Sequence, residues 1–346
     1  MRLAIHHTPG SFSEKWLEYC RARGIAFKPV NCFDSDIVAQ LEDCDGLMWH
    51  WAHWDHQAIQ FARQLTYSLE RMGKRVFPDS RTCWHYDDKV GQKYLLEALG
   101  APLVPSRVFY DKAEALAWVE GAAFPQVFKL RRGAGSANVA LVRSKAGARR
   151  LVRRSFGKGF SPVNRVSAFK DRLWHLKRDR NLRALAGIGK GLARLFVPTT
   201  FEKNTFREKG YAYFQDFVPG NAFDIRIIVI GERAFGIKRM VRANDFRASG
   251  SGTIIYDRDE IGTSCLRPSF EIAGKLGSQC MAFDYVFRGD QPLLTEISYA
   301  FLQSGYEGCP GYWDRGLAWH EGKFAPEWFM IEDFIASFGT PREPVR

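Results

Sequence analysis

The acidic residues best suited to chemistry lie in the stretch 280–298, CMAFDYVFRGDQPLLTEIS. Its first half shows the alternating pattern of a strand and is rich in β-forming residues. Gly289-Asp290 is a turn signal, and the second half is consistent with an antiparallel return strand. Together these features predict a β-hairpin. If the turn centres on Asp290, Asp284 and Glu296 face each other across the two strands. Two facing carboxylates repel unless a cation lies between them, and their oxygens suit Mg²⁺. The alternative is a solvated outer face that tolerates both charges.

A second candidate is the glycine-rich segment 131–138, which lies between two predicted strands. Lys129 stands at the end of the first strand, and backbone N–H groups at the tip of such a hairpin can cover phosphates. The segment is not a GxxxxGK[ST] loop, because its lysine precedes the glycines and no helix follows. Lys89 lies in the first turn of a predicted helix, where a positive charge interacts unfavourably with the helix dipole. A lysine at this position therefore either has a function or directs its ammonium group away from the helix end. The alternative for the hairpin is an ordinary mobile turn.

Tryptophan and histidine crowd the stretch 49–56, WHWAHWDH. It follows the third of four strands that alternate with helices over residues 1–79, a pattern that predicts a small parallel sheet. Ligands of such sheets bind at the carboxyl ends of the strands. The candidates for binding a ring-shaped substrate are Trp49, His50, Trp51 and His53. Two alternatives stay open: a helix start buried against the next domain, and a zinc site at the three histidines of this stretch.

The elements after residue 210 are expected to position the remaining polar residues. Three strands are predicted at 211–218, 222–230 and 234–240. In the second strand Asp224 and Arg226 share a face, because side chains alternate along a strand. The third strand carries Lys238 and Arg239, and a polar loop with Arg247 follows it. An aromatic-rich tail, residues 306–338, is expected to pack as helix and loop over the sheet.

Length and composition bound the class of protein. The chain has 346 residues, 46% of them hydrophobic and 25% charged, so two or three packed domains are expected. No apolar run is long enough for a membrane span, and the start lacks the apolar region of a signal peptide. The seven cysteines form no CxxC spacing and are expected to be reduced thiols. We therefore expect a cytoplasmic location.

The net charge of +12 is concentrated in one segment. Residues 143–209 hold nineteen Lys and Arg against four acids, a net +15, so the rest of the chain carries about −3. A local patch of this kind predicts a polyanionic partner, an anionic membrane surface such as the inner face of the membrane, or a merely solvated insertion. We do not expect nucleic acid as the partner, because no nucleic-acid motif is present and aromatic residues are scarce where the charge is densest.

Taken in order, these motifs resemble the ATP-grasp superfamily, in particular its carboxylate–amine ligases such as the ribosomal-protein glutamate ligases and glutathione synthetase. The resemblance covers residues 80–300, and the parallel sheet before it is similar to the usual N-terminal domain of the family. The motifs that carry it are Asp88-Lys89, Phe128-Lys129, the glycine-rich loop, Phe214–Val218, Asp224-Ile225-Arg226, Lys238-Arg239, Phe246-Arg247, Asp284 and Glu296.

The resemblance implies an α/β (α+β) ATP-grasp fold in three domains. The first, residues 1–80, is a parallel α/β domain. The second, residues 81–205, is a small lid domain with the glycine-rich loop and a basic insertion at 152–200. The third, residues 206–346, is an antiparallel-sheet domain with the metal hairpin and the aromatic tail.

The resemblance also implies a role for each matching position. The implied cofactors are ATP and two Mg²⁺ ions. Lys89 and Lys129 would hold nucleotide phosphates under a loop that includes Arg132, Gly133, Gly135 and Ser136. The adenine and ribose would contact Gln215, Asp216, Phe217, Val218 and Asp224. The nucleotide near the metals would contact Arg247 and Ser249. The metal ligands would be Asp284, Glu296 and Ser298. The transferring phosphoryl group would be stabilised by Lys129, Arg226 and Arg247, with Lys238 and Arg239 on the substrate side.

The implied reaction is ATP-dependent amide formation through an acyl phosphate. The aromatic stretches at 49–56 and 312–319 and the basic segment lead us to expect a large acidic acceptor, such as a uronic-acid-bearing cell-surface glycan, together with a small-molecule amine. A peptide or protein carboxylate, a non-catalytic nucleotide-binding protein and an oligomer are left open. One departure concerns the metal site, where the family usually has Glu-x-Asn and this chain has Glu296-Ile297-Ser298.

Overall fold

The structure is a computed structural model that describes residues 1–53, 55–133, 138–161, 206–242, 245–248 and 252–340, together with Val197 and Glu202. The chain forms two compact units. Unit 1 consists of Met1–Tyr86, Tyr94–Leu103 and Gly220–Arg346, and unit 2 consists of Asp87–Lys93 and Val104–Pro219. The three-domain division expected from the sequence stays a prediction. None of the helices in the described ranges has the length and apolar character needed to span a bilayer.

A four-stranded parallel sheet opens unit 1, as the alternation of strand and helix signals predicts. Its strands lie in the order β2-β1-β3-β4. Asp55 begins the longest helix of this region by accepting the N–H groups of Gln57 and Ala58, each at 3.1 Å. The elements are β1 (Arg2–His6), α1 (Ser13–Arg23), β2 (Ala26–Val30), α2 (Ile37–Gln40), β3 (Gly46–Trp49), α3 (His56–Arg71), β4 (Arg75–Phe77) and α4 (Ser80–Cys83).

Unit 2 is built on an antiparallel sheet with strand order β5-β8-β6-β7. Its core contains Phe128 and Phe214 from the two central strands, packed against apolar residues of two helices such as Val119 and Val152. The first helix of this region begins in unit 2 and continues in unit 1. The elements are α5 (Lys89–Ala98), β5 (Ser106–Phe109), α6 (Lys112–Gly121), β6 (Gln126–Lys129), β7 (Val139–Val142), α7 (Lys145–Ser155) and β8 (Ala212–Asp216).

The larger sheet of unit 1 has seven strands in the order β13-β12-β9-β10-β14-β15, with β11 paired to β10. Its strands are β9 (Phe223–Ile230), β10 (Arg233–Met240), β11 (Ile254–Ile255), β12 (Cys280–Arg288), β13 (Gln291–Ser298), β14 (Gly311–Asp314) and β15 (Trp319–Glu321). The helices are α8 (Arg258–Ile261), α9 (Leu266–Leu276) and α10 (Pro326–Ala336), with single 3₁₀ turns at Gln303–Gly305 and Ser337–Gly339. The expectation of helix and loop alone for the aromatic tail is therefore wrong, because Tyr312 and Trp313 lie in a strand of the sheet.

The β12–β13 hairpin is confirmed, and so is the pairing of Asp284 with Glu296, but the predicted turn centre is wrong. Arg288 pairs with Gln291, so the turn centres between Gly289 and Asp290. That register alone would place Thr295 opposite Asp284. A β-bulge after Asp284 absorbs one extra residue in β13, and Thr295 Oγ1 donates to the Asp284 carbonyl at 3.2 Å. The bulge therefore brings Glu296 onto the face that carries Asp284.

Candidate functional site

One face of the larger sheet in unit 1 carries six of the predicted site residues. Residues that pair across neighbouring strands project to the same face, and so do residues two apart on one strand. Asp284 pairs with Glu296 on one side and with Arg226 on the other, and Asp224 pairs with Arg239. The six residues on this face are Asp224, Arg226, Arg239, Asp284, Glu296 and Ser298.

Four of these residues form interlocked, largely buried ion pairs, which we call the Arg–Asp cluster (Asp224, Arg226, Arg239 and Asp284). Arg226 donates through Nε and Nη2 to the two oxygens of Asp284, the second at 2.6 Å. Arg239 donates through Nε and Nη2 to the two oxygens of Asp224, both at 2.7 Å. Its Nη2 also lies 3.2 Å from Oδ2 of Asp284. Such two-point contacts fix the planes of both guanidinium groups.

The charges of the Arg–Asp cluster are set by burial and by the two arginines. Burial alone would raise the pKa of Asp284, but Arg226 and Arg239 more than offset it and hold that pKa below the usual range. For Asp224 burial prevails over Arg239, and its pKa is raised. Asp284 therefore remains ionised at neutral pH. Three carboxylates, counting Glu296, face two guanidiniums here, and the ionised Asp284 favours a cation beside it.

The donor set on this face fits a magnesium ion that takes its other ligands from a nucleotide. Mg²⁺ binds through one or two protein carboxylates and fills the rest of its octahedron with water and phosphate oxygens. Asp284 and Glu296 supply two carboxylates, and Asp284 keeps one of its roughly four acceptor positions after three guanidinium contacts. Ser298 Oγ donates to the Ala300 carbonyl at 2.7 Å, which leaves its oxygen as an acceptor.

Protein groups alone do not complete a metal site in the described part of the chain. No cluster of three or more His, Cys, Asp or Glu side chains suited to a metal occurs there. His50, His53 and His56 are all described residues, so the zinc alternative is wrong. A metal at Asp284 and Glu296 accordingly depends on ligand oxygens.

Two predicted residues near the Arg–Asp cluster have partners of their own. Lys238 alternates with Arg239 and projects to the opposite face of β10. Its Nζ lies 2.6 Å from Oε2 of Glu260 and 4.0 Å from the ring centre of Phe223. Arg247 pairs with the carboxylate of Asp245, with Nη2 2.6 Å from Oδ2. Lys238 is therefore not brought together with the cluster, and Ser249 lies outside the described residues.

Tyr306 is a member of this site that sequence reasoning missed. Burial raises the pKa of Tyr306 above its ordinary value, while Arg226 and Arg239 act to lower it, so the hydroxyl lies close to the Arg–Asp cluster. The residue lies in the aromatic tail, where nothing in its spacing separates it from residues that only pack.

The predicted phosphate-binding residues of unit 2 lie around the base of the glycine-rich loop. Lys89 and Lys129 are both buried, 3% and 6% exposed. Lys89 Nζ donates to the Gly133 carbonyl at 2.6 Å. Lys129 ends β6, opposite Val139 of β7. Arg132 and Gly133 are half-buried, whereas Gly135 and Ser136 lie outside the described residues.

The segment predicted to contact adenine continues from β8. Gln215 is buried, and its Nε2 donates to Ser106 Oγ at 3.0 Å. The carboxylate of Asp216 accepts from Gln126 Nε2 at 3.1 Å and lies 3.7 Å from Nη1 of Arg107. Phe217 and Val218 follow directly. The side chains of Gln215 and Asp216 are thus held by neighbours on β5 and β6, and adenine contact by this segment stays a prediction.

The tryptophans of the stretch 49–56 are core residues. Trp49 and Trp51 are only 2% and 1% exposed, and Trp51 packs against Tyr86 and Tyr299. The Tyr299 hydroxyl donates to the Trp51 carbonyl. Stacking of a ligand ring on Trp49 or Trp51 is therefore a wrong prediction. The sequence left open the alternative that this stretch is buried, and Trp49 and Trp51 are indeed buried.

The two histidines of that stretch have different surroundings. His50 stacks on Phe12 with ring centres 3.7 Å apart, and its Nδ1 accepts the Phe12 N–H at 3.1 Å. Burial lowers the pKa of His50 to about 3, so the ring is neutral. His53 is half-buried and lies against the Tyr86 hydroxyl, 3.3 Å from its Nδ1. Of the four residues of this stretch predicted to bind substrate, His53 alone is partly exposed.

No protein-family model matches this sequence, and no curated protein matches it. Solved structures do match. The RimK domain protein ATP-grasp from Sphaerobacter thermophilus is 17% identical, with 97% of this chain and 100% of that chain covered and a TM-score of 0.55. The D-alanine–D-alanine ligase from Bacillus anthracis complexed with ATP is 11% identical, with 97% of each chain covered and a TM-score of 0.54.

A third match is the biotin carboxylase domain of the Hydrogenobacter thermophilus 2-oxoglutarate carboxylase, in complex with MgADP, ADP and bicarbonate. It is 12% identical, with 87% of this chain and 64% of that chain covered and a TM-score of 0.53. At such identities the likeness establishes the fold. The chain has the ATP-grasp fold, and the fold class predicted from the motifs is confirmed.

Proposed function

We propose that this chain, which has the ATP-grasp fold, is an ATP-dependent ligase that joins a carboxylate to an amine through an acyl phosphate. The observation that carries the proposal is the buried Arg–Asp cluster with Glu296 on the same sheet face. Two fixed guanidiniums present positive charge to anionic oxygens, while the facing carboxylates suit a hard cation. Phosphoryl transfer needs this combination, because its catalysis consists mainly of positioning and charge stabilisation.

Each group has a defined part in the proposed reaction. Lys89 and Lys129 hold nucleotide phosphates, and Asp284 and Glu296 hold Mg²⁺, which would neutralise charge on the phosphate oxygens when bound. A carboxylate oxygen of the acid attacks the γ-phosphorus, and ADP leaves. The amine then attacks the acyl carbon, and inorganic phosphate leaves as the amide forms. Arg226 stabilises charge on the phosphoryl oxygens in both steps. The protein contributes no nucleophile.

For the carboxylate substrate we propose only a chemical class, an acidic compound. The net +15 over residues 143–209 supports an acceptor with several negative charges, such as a uronic-acid glycan. Of the aromatic residues that also suggested a sugar, Trp49, Trp51 and Trp313 are buried and give it no support, whereas Tyr312 and Trp319 are half-buried. A peptide or protein carboxylate that receives an amino acid is the second candidate, in line with the fold shared with a D-alanine–D-alanine ligase.

The test is a panel of uronic acids, peptides and amines, screened for phosphate release and followed by mass spectrometry of the products. A productive pair should give one amide per ATP consumed. Lys129→Ala and Glu296→Gln should abolish turnover, whereas the exposed controls Lys112→Ala and Glu321→Gln should retain it. Binding of ATP without turnover by any acid and amine would instead support a non-catalytic nucleotide-binding protein.

Nucleic-acid binding through the basic segment is the remaining alternative. It predicts an affinity that falls steeply as salt rises, because counterions are released on binding. Binding assays with DNA and RNA at two salt concentrations separate it from the ligase proposal. Salt-sensitive binding together with an absence of ATP turnover would favour that alternative.

A further inference from the structure

The segment Asp87–Lys89 is fastened to the base of the glycine-rich loop within unit 2. The Lys89 N–H donates to the Arg131 carbonyl at 3.0 Å, and Lys89 Nζ donates to the Gly133 carbonyl at 2.6 Å. The Gly133 N–H donates to Oδ1 of Asp87 at 2.8 Å. Arg131 forms an ion pair with Asp88. Three consecutive residues before and at the helix start thus contact the loop base.

One of these contacts places a carboxylate where a phosphate would be bound. Backbone N–H groups of glycine-rich loops bind anionic oxygens, and a carboxylate oxygen is chemically the same kind of acceptor as a phosphate oxygen. Gly133 has a φ of +121°, so its N–H is presented by a backbone shape that favours glycine. Its N–H is already bonded to Asp87, beside the buried ammonium of Lys89.

The backbone at Asp87 supports a dedicated role for this contact. Asp87 has a φ of +52°, in the left-handed region that non-glycine residues rarely adopt. Asp and Asn tolerate this region best, and the surrounding contacts must hold the residue there. Asp87 is half-buried, so its carboxylate is not simply a solvated surface charge.

We propose that the Asp87 carboxylate is an internal competitor of the nucleotide phosphates and sets the nucleotide affinity of this chain. The inference rests on the proposed ATP binding by Lys89 and the glycine-rich loop. A phosphate that takes the Gly133 N–H must first displace Asp87, and the nearby negative charge opposes its approach. Breaking one charge-assisted hydrogen bond before binding weakens the apparent affinity about tenfold. Asp87 is thus an affinity-setting residue and takes no part in the chemistry.

The test compares Asp87→Gly and Asp87→Asn with the unchanged chain. Glycine and asparagine both accept a left-handed backbone, so neither change strains the turn. Glycine removes the competitor entirely, whereas asparagine keeps an acceptor oxygen and loses the charge. Glu114→Gln, an exposed charge on α6 of the same unit, controls for net charge. Dissociation constants for ATP with Mg²⁺ and for adenosine are measured by calorimetry, with thermal unfolding as the check on folding.

We expect Asp87→Gly to bind ATP about tenfold more tightly, Asp87→Asn to show a smaller gain, and adenosine affinity to stay unchanged because adenosine has no phosphate. An unchanged or weaker ATP affinity in a folded Asp87→Gly would overturn the inference, since Asp87 would then be organising the loop. An equal gain for adenosine would also overturn it. If the unchanged chain binds no ATP, the proposed function fails, and this inference fails with it.

Discussion

Replacing Asp284 by Asn tests the energetic account of the Arg–Asp cluster. The change removes the charge that both Arg226 and Arg239 face, and it leaves two buried guanidiniums with one carboxylate fewer. Loss of one partner from a buried ion pair costs about 3–5 kcal/mol, because the remaining charge is uncompensated. We therefore expect Asp284→Asn to lower the free energy of unfolding by about that amount at pH 7. Urea denaturation followed by circular dichroism measures it.

The pH dependence gives an independent check on Asp284. The folded state holds the pKa of Asp284 below its unfolded value of about 3.9. Its stabilising contribution is therefore complete above about pH 4 and is lost as the pH falls towards the lowered folded pKa. The unchanged chain should lose stability over that acidic window more steeply than Asp284→Asn does. The control is Asp290→Asn in the exposed turn of the same hairpin, expected to stay within about 0.5 kcal/mol of the unchanged chain. A cost for Asp284→Asn as small as the control's would refute the reasoning.

Two further predictions concern the buried His50 and two glycines with positive φ, all outside that cluster. The pKa of His50 is lowered to about 3, so the unfolded chain takes up a proton there as the pH falls from about 6.5 while the folded chain does not, and stability drops. His50→Asn keeps an acceptor for the Phe12 N–H. Urea titrations should show that its free energy of unfolding falls between pH 7 and pH 5 by about 2 kcal/mol less than that of the unchanged chain. Equal losses would contradict the buried neutral ring. Gly231 and Gly289 both have positive φ, but a Cβ at Gly231 would overlap the Asp333 carboxylate, whereas one at Gly289 meets nothing within 4 Å. Gly289→Ala should cost about 1–2 kcal/mol and Gly231→Ala clearly more in the same assay, and equal costs would show that the overlap is relieved freely.

Alternation along the chain was sufficient to predict the strands that carry the site. Asp224 and Arg226 were placed on one face because they are two apart in a strand, and the register bears this out. The facing of Asp284 and Glu296 was predicted from a turn centred half a residue too late, which shifts the strand pairing by one residue. The bulge at Thr295 adds one residue to β13 and so restores the pairing of Asp284 with Glu296. A local sequence pattern does not predict a bulge, because a bulge depends on the neighbouring strand.

The predictions that failed depend on contacts distant in sequence. A stretch of tryptophans and histidines looks the same in sequence whether it binds a ligand or fills a core. Trp51 belongs to the core because it packs against Tyr299, which is distant in sequence. The strands at Gly311–Asp314 and Trp319–Glu321 were missed because their aromatic residues suit helix and strand packing alike. The bond between Asp87 and Gly133 joins residues far apart in the chain, so neither motif alone predicts it.

The most direct test of the ligase proposal follows one oxygen atom through the reaction. The acid from the panel that supports phosphate release is labelled with ¹⁸O in its carboxylate and incubated with ATP, Mg²⁺, the amine and the protein. Because that oxygen attacks the γ-phosphorus and leaves with it, each amide formed should be accompanied by one labelled inorganic phosphate. Amide formation with unlabelled phosphate would contradict the acyl phosphate route.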